Sequence, residues 1–337
     1  LINAGGPVEL TDLMEQMHHL AAILQISQLG QQGGAAVADV LLGKVVPEGK
    51  LTATWARRYT DYPSADTFGA CNGDLEKEIY TEGIYVGYRY FDSFDIQPLF
   101  PFGYGLSYTE FSVEFEGLEA DAHAVRVAVK VSNTGKLYAG REVVQVYAAC
   151  PQNGGAKEYR RLVGFAKTQQ LGPGETQCVT IAVDAKQLAA FSQEKQAWIL
   201  EQGVYTLFAG NSSVNCKPCA HLKVETEKVL ERTHPICPVQ HPFEELKCAA
   251  PAMEKAALAT QMKLPCVRFN PEPEEKAQAA IVPLADGPVE ELIPLLYGNI
   301  TKGASTLGSA GIRVPGSAGE TSEALETSRG VRSLIMA

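Results

Sequence analysis

Valine stands at positions 125, 127, 129 and 131, with Arg126, Ala128 and Lys130 between. Successive side chains of a strand point to opposite faces, so a period of two gives one apolar face and one polar face. The pattern returns at Val144, Val146 and Ala148, and again at Val179, Ile181 and Val183. Asn133-Thr134-Gly135 and Gly172-Pro173-Gly174-Glu175 turn the chain between such runs. Trp198 and Leu200 precede Gln202-Gly203, and Tyr205, Leu207 and Ala209 follow. A helix cannot use this pattern, because its apolar positions recur three and four residues apart. Residues 110–225 are therefore read as all-β, a sandwich of about seven strands.

Residues 1–60 follow another rhythm. Leu13, Met14, Met17 and Leu20 share a helical face over Thr11 to Leu20. Gln31-Gln32-Gly33-Gly34 opens a second helix with Ala36, Val37, Val40 and Leu41 on one face, and Gly43 stops it. Leu1 to Asn3, Ala21 to Ile26 and Leu51 to Trp55 read as strands between them. Strand and helix alternating in this way specify a layered α/β domain. The stretch YTEGIYVGYRYFDSFDIQPLFPFGYGLSYTEF follows. It holds too much glycine for a long helix and too many rings for a solvated loop, so it packs against something.

Pro, Ala, Glu and Lys dominate residues 226–285, which read as a long linker. A helix is expected from Asp286-Gly287-Pro288, with Val289, Leu292, Ile293 and Leu296 on one face and Glu290 and Glu291 favouring its N-terminal dipole. A Gly/Ser-rich stretch and an apolar strand, Val331 to Met336, come last. The chain opens at Leu1 in one apolar run and stops at Ala337 in another, and it is read as an internal piece of a larger protein.

At 337 residues the chain has room for two or three domains. Hydrophobic residues at 45% and charged residues at 20% exclude a disordered or collagen-like chain. Acidic residues outnumber basic ones, 39 to 29, for a net charge of −10. The basic footprint of a nucleic-acid binder is missing. No apolar run is long enough for a membrane-spanning helix. Eight cysteines are too dilute for a disulfide scaffold and read as reduced thiols, which suits the cytoplasm.

Three groups of segments resemble glycoside hydrolase family 3, the β-glucosidase-like enzymes. LINAGGPVEL followed by GQQGGAAVADVLLGKVVPEGKLTATW is similar to the second half of that family's α/β-sandwich domain. YTEGIYVGYRYFD and PLFPFGYGLSYTEF are similar to the segment that closes it. VSNTGKLYAGREVVQVYA, RLVGFAKTQQLGPGE and GVYTLFAGNSS are similar to the family's fibronectin type III-like domain. Together they cover roughly residues 1–213. ELIPLLYGNI, VPGSAGETSEAL and GVRSLIMA resemble the lead-in to the catalytic barrel in members with inverted domain order. The resemblance implies a multidomain α/β plus all-β chain. Residues 1–109 would be the C-terminal part of the α/β-sandwich domain and 110–225 the fibronectin type III-like sandwich. Residues 226–285 would be the linker and 286–337 the start of a (β/α)8 barrel.

The resemblance also implies chemistry. Retaining hydrolysis of O-glycosidic bonds uses two carboxylates roughly 5–5.5 Å apart. In this family the nucleophile is an Asp late in the barrel and the acid/base a Glu ahead of the strand ending in LINAGG. Both positions fall outside these residues, so no residue here inherits a catalytic role and no substrate-binding residue is assigned. No cofactor and no metal are implied. The implied partner is a carbohydrate, a β-glucoside or related oligosaccharide, with no nucleic acid and no membrane. The alternative is a non-catalytic sandwich that binds a glycan or another protein.

Five local features carry a functional and a structural reading. Glu82 lies among Tyr80, Tyr85, Tyr88, Arg89 and Tyr90 and could serve a sugar site. Structurally, it pairs with Arg89 or backbone amides while the tyrosines pack a joint. Gly30 to Gly34 could hold an anion, but it matches neither phosphate-loop pattern and reads as a tight turn into a helix. Gly303 to Thr321, with Glu320, could be a loop near substrate or a plain lead-in to the barrel. Cys216, Cys219, Cys237 and His241 have zinc-like spacing but read as incidental thiols. Asn211-Ser212-Ser213 and Asn299-Ile300-Thr301 match the glycosylation pattern, which arises often by chance.

Overall fold

The computed structural model describes residues 1–70, 73, 78–153, 157–234, 242–247, 250–272, 319–320 and 335–336. The chain divides into two units, Leu1–Glu274 and Glu275–Ala337. In the first, helices α1 (Thr11–Gln16), α2 (Gly33–Leu41) and α3 (Tyr88–Phe94) precede the strands. Strands β1 (Phe111–Ala120), β2 (Ala124–Asn133), β3 (Val143–Ala149), β4 (Arg161–Lys167) and β5 (Thr176–Asp184) follow. The short helix α4 (Ala185–Leu188) leads to β6 (Ala190–Ser192), β7 (Ala197–Leu200), β8 (Gly203–Gly210) and β9 (Cys216–Val224). Then come β10 (Lys228–Arg232), α5 (Ala250–Thr260) and β11 (Cys266–Arg268).

The valine alternation does what its period requires. Val125, Val127, Val129 and Val131 are each 0% exposed. β2 lies between β1 and β5, antiparallel to both, with Val127 opposite Ile181 and Val129 opposite Val179. The facing sheet runs β11-β9-β8-β3-β4 and brings Val144, Val146, Leu207 and Leu222 into the same core. Each such side chain, fully buried, stabilises the fold by about 1.5–3 kcal/mol. Residues 110–225 hold nine strands rather than seven. The short β6 and β7, with β10, form a separate ribbon, and a run of three residues is too brief for alternation to reveal.

Asn133 is the buried pivot of its turn. Its side-chain amide donates to the carbonyls of Tyr138 (2.9 Å) and Leu171 (2.8 Å). Its Oδ1 accepts from the Thr109 hydroxyl (2.6 Å) and the Gly135 N–H (3.0 Å). All four bonds of the amide are made, which is what a polar group at 1% exposure needs.

The N-terminal stretch is less regular than its pattern. Helix α1 ends at Gln16, short of the expected Leu20, and Leu13, Met14 and Met17 are exposed. A short helix draws its stability from a packed apolar face, and this face has no cover among the described residues. The strands expected at Ala21 to Ile26 and Leu51 to Trp55 reduce to single bridges, Ile2 with Gln25 and Trp55 with Phe100.

Within residues 226–285, expected as a linker, the described residues 228–232, 250–260 and 266–269 contribute to the fold. β10 pairs with β7, β11 pairs in parallel with β9, and Phe269 enters the sandwich core. Ala252, Ala256 and Ala259 share one helical face and are buried, a spacing that the Pro/Glu-rich composition masks. In the second unit, β12 (Gly319–Glu320) and β13 (Ile335–Met336) pair antiparallel. The helix expected from Asp286 and the first residues of the strand expected at Val331 lie outside the described residues. Among the described residues no helix is long and apolar enough to cross a membrane.

Candidate functional site

Charged side chains are buried together in two places: Lys157 pairs with Glu201 and Arg161 with Glu158 in the sandwich domain, and a second group lies where the aromatic stretch meets the sandwich. Tyr88 on α3 tilts onto Phe102 at 5.0 Å and meets Tyr147 of β3 edge-on at 5.7 Å. Its hydroxyl accepts the Leu162 N–H at 2.7 Å. Tyr85 meets Phe94 edge-on at 5.3 Å, and Tyr90 lies 4.8 Å from Phe94. Of the tyrosines around Glu82, Tyr85, Tyr88 and Tyr90 pack in the joint, while Tyr80 is exposed.

Two buried ion pairs cross this joint. Arg160, at 8% exposure, donates through Nε to Asp92 on α3 at 2.8 Å. Its other nitrogens reach the Ser213 carbonyl and, at 3.0 Å, the Cys216 sulfur. The rings of Tyr147, Tyr159 and Phe208 surround its guanidinium at 5.7, 5.1 and 5.3 Å. Burial, the largest single influence, works against the charge, but Asp92, Cys216 and Tyr159 together hold the Arg160 pKa above its usual value. Farther along, Lys50 pairs with Glu142 at 2.8 Å and donates to the Gly105 carbonyl at 3.1 Å. Glu142 also accepts from the Val143 N–H and the Asn211 amide. Such groups tolerate burial because each has charged and hydrogen-bonded partners.

This geometry explains the Gly-Tyr-Gly of the aromatic stretch. Gly103 has φ +81°, and a Cβ there would stand 2.3 Å from the Gln145 amide. A Cβ on Gly105 would stand 2.3 Å from the Gly49 carbonyl oxygen. Neither position admits a side chain without displacing the joint.

The remaining candidates fall in different places. Glu82 is half-buried in a turn, and its carbonyl accepts the Tyr85 N–H at 2.9 Å. The Gly30 carbonyl accepts the Gly33 N–H at 2.9 Å, a tight turn into α2. Of Gly303 to Thr321, only Gly319 and Glu320 are described, in β12. Asn211 is half-buried, and its amide is engaged with Glu142 and Asn215. Asn299 lies outside the described residues.

Cys216 and Cys219 belong to different clusters. Cys219 lies in the sandwich core, and Cys216 packs with Tyr147 and Phe208 in the joint. Burial pushes the Cys219 thiol up to about 12 and the Cys216 thiol up to about 11. Cys237 and His241 lie outside the described residues. The melting temperature of the whole chain is expected to be the same with and without a strong chelator. A large drop in the chelator would assign the cysteines to a metal.

Sequence reasoning missed Lys50, Asp92, Glu142 and Arg160. Their signal was present as charge inside otherwise aromatic or apolar runs: Asp92 in YRYFDSF and Glu142 in GREVVQVY.

Comparison with known proteins agrees with this architecture. Residues 1–88 match the glycosyl hydrolase family 3 C-terminal domain, and residues 142–213 match the fibronectin type III-like domain. A β-glucosidase of Ruminococcus albus is 39% identical over 252 residues, 73% of this chain and 26% of that protein. β-Glucosidase A of Butyrivibrio fibrisolvens is 41% identical over 234 residues, 63% of this chain and 28% of that protein. The structure of β-glucosidase 3B from Thermotoga neapolitana in complex with α-D-glucose superposes with a TM-score of 0.63 at 38% identity. That superposition covers 68% of this chain and 31% of the other. The chain thus spans about a quarter to a third of the length of these relatives. With two domain matches in this order, joined by buried ion pairs, the chain carries a glycosyl hydrolase family 3 C-terminal domain followed by a fibronectin type III-like domain.

Proposed function

We propose that this chain is the supporting part of a retaining β-glucosidase-type hydrolase. It frames an active site whose two carboxylates lie outside residues 1–337. The observation that carries this reading is the joint, where Asp92–Arg160 and Lys50–Glu142 seat the α/β segment on the sandwich. Its buried charges are spent on holding two domains in register and none is presented to a ligand. The substrate class is a β-glucoside or related oligosaccharide, a reading supported by the names of the relatives. The exposed apolar side chains of Leu13 and Met14 on α1, and of Leu41 and Leu42 around the end of α2, support a partial α/β layer that further elements cover.

The domain order is inverted in this reading. The α/β segment comes first, the sandwich follows, and a barrel starts at about residue 286 and extends for about 250 residues. The compartment is the cytoplasm, supported by the free thiols of Cys150, Cys216 and Cys219. The flanking DNA tests the arrangement. An Asp-Gly-Pro turn should follow Ala337 closely, a nucleophilic Asp should stand late in the barrel, and an acid/base Glu should lie upstream of Leu1. A stop codon soon after Ala337, or a barrel upstream of Leu1, would rule it out.

A further inference from the structure

Residues 250–269 cross the outer face of the β3-containing sheet and return to its edge. α5 turns Ala252, Ala256 and Ala259 inward, at 1%, 5% and 6% exposure. Ala256 and Ala259 meet Tyr147 and Phe208 of the sandwich, while Ala252 meets Tyr85 of the α/β segment. Lys255 pairs with Asp95 at the end of α3 and donates to the Asp92 carbonyl at 3.3 Å. One helix is therefore fixed on both sides of the joint.

The segment then closes the sheet. β11 runs parallel to β9, with Cys266 opposite His221 and Arg268 opposite Lys223. The His221 N–H donates to the Pro265 carbonyl at 2.7 Å, and the Phe269 N–H to the Lys223 carbonyl at 2.9 Å. The His221 ring is buried between two partners. Its Nε2 lies 3.0 Å from the Met262 carbonyl, which can only accept, so this nitrogen carries the proton and Nδ1 faces the Thr206 hydroxyl at 3.3 Å. Phe269, at 1% exposure, anchors the end in the core. Without β11, β9 would be an open edge with unpaired backbone groups.

We propose that residues 250–269 are a strap that couples the β9 edge to helix α3, so that the sheet edge and the α/β segment open together. The physical basis is a rigid helix with both flanks packed and its far end locked in the core. Local opening then needs the whole strap to lift, and the cost is shared by everything it covers.

Backbone hydrogen exchange on the full chain tests the coupling. Lys255→Met breaks the tie to α3 together with the ammonium's contact over the Tyr159 ring, while Phe269→Leu weakens the far anchor. Either change should speed exchange by about tenfold in both Tyr88–Phe94 and Ala220–Val224. The β2–β5 ladder should keep its protection in both variants. Faster exchange confined to α3 in Lys255→Met, or to β9 in Phe269→Leu, would overturn the proposal. So would a loss of protection across β2 and β5 in both, which would mean general loosening. Ala256→Glu places a carboxylate against Tyr147 and Phe208 and should loosen both regions further than either single change.

Discussion

Arg160→Met is expected to destabilise the chain by about 3–5 kcal/mol, the usual cost of removing one partner of a buried ion pair. Methionine restores much of the volume, so the loss is electrostatic rather than a cavity effect. The Asp92 side chain, 14% exposed, loses its counter-charge. The Ser213 carbonyl loses its donor, and three rings lose the cation between them. Arg160→Lys keeps the charge, but its compact ammonium cannot span Asp92, Ser213 and Cys216, so an intermediate loss is expected. The double variant Arg160→Met with Asp92→Leu should recover most of the stability, because an apolar pair can replace a buried ion pair at little cost. Urea unfolding measures all three. A loss below about 1 kcal/mol for Arg160→Met would mean that the Asp92–Arg160 pair adds little to the joint beyond its rings and the Lys50–Glu142 pair.

Why this residue escaped the sequence reading is instructive. Asp92 and Arg160 pair across 68 positions, and no local spacing encodes such a contact. The sandwich was legible because its signal is local: a period of two at 125–131, a turn at Asn133-Thr134-Gly135, and the same period again at 179–183. The aromatic stretch was legible as something packed, since so many rings need cover, but its partner was not. The Gly103 and Gly105 positions follow the same logic, because the demand for glycine comes from Gln145 and Gly49, both distant in sequence. Composition misled at 226–285, where Pro and Glu hid the alanine face of α5. Pattern misled at Ala21 to Ile26, where an apolar run found only one bridge, because a strand exists through its neighbours. The zinc-like spacing of Cys216 and Cys219 meets a related constraint, with Cys237 and His241 outside the described residues. Once they sit on a strand, the two side chains enter different clusters.

The largest effect is expected in catalysis. Removing a catalytic group that works as part of a unit typically lowers kcat by about 10⁴–10⁶-fold. On the proposed reading, with both carboxylates outside residues 1–337, the chain should turn over an aryl β-glucoside at the background rate. Glu82, half-buried among the joint tyrosines, has the wrong setting to replace them. It sits in a turn before Tyr85, and glycoside hydrolysis needs two carboxyl groups across one bond. The most direct test is one assay on two proteins, residues 1–337 alone and the gene product extended on both sides, each with and without Glu82→Gln. The account predicts turnover by the extended protein, none by the chain alone, and little change from Glu82→Gln. Turnover by residues 1–337 that disappears in Glu82→Gln would contradict it.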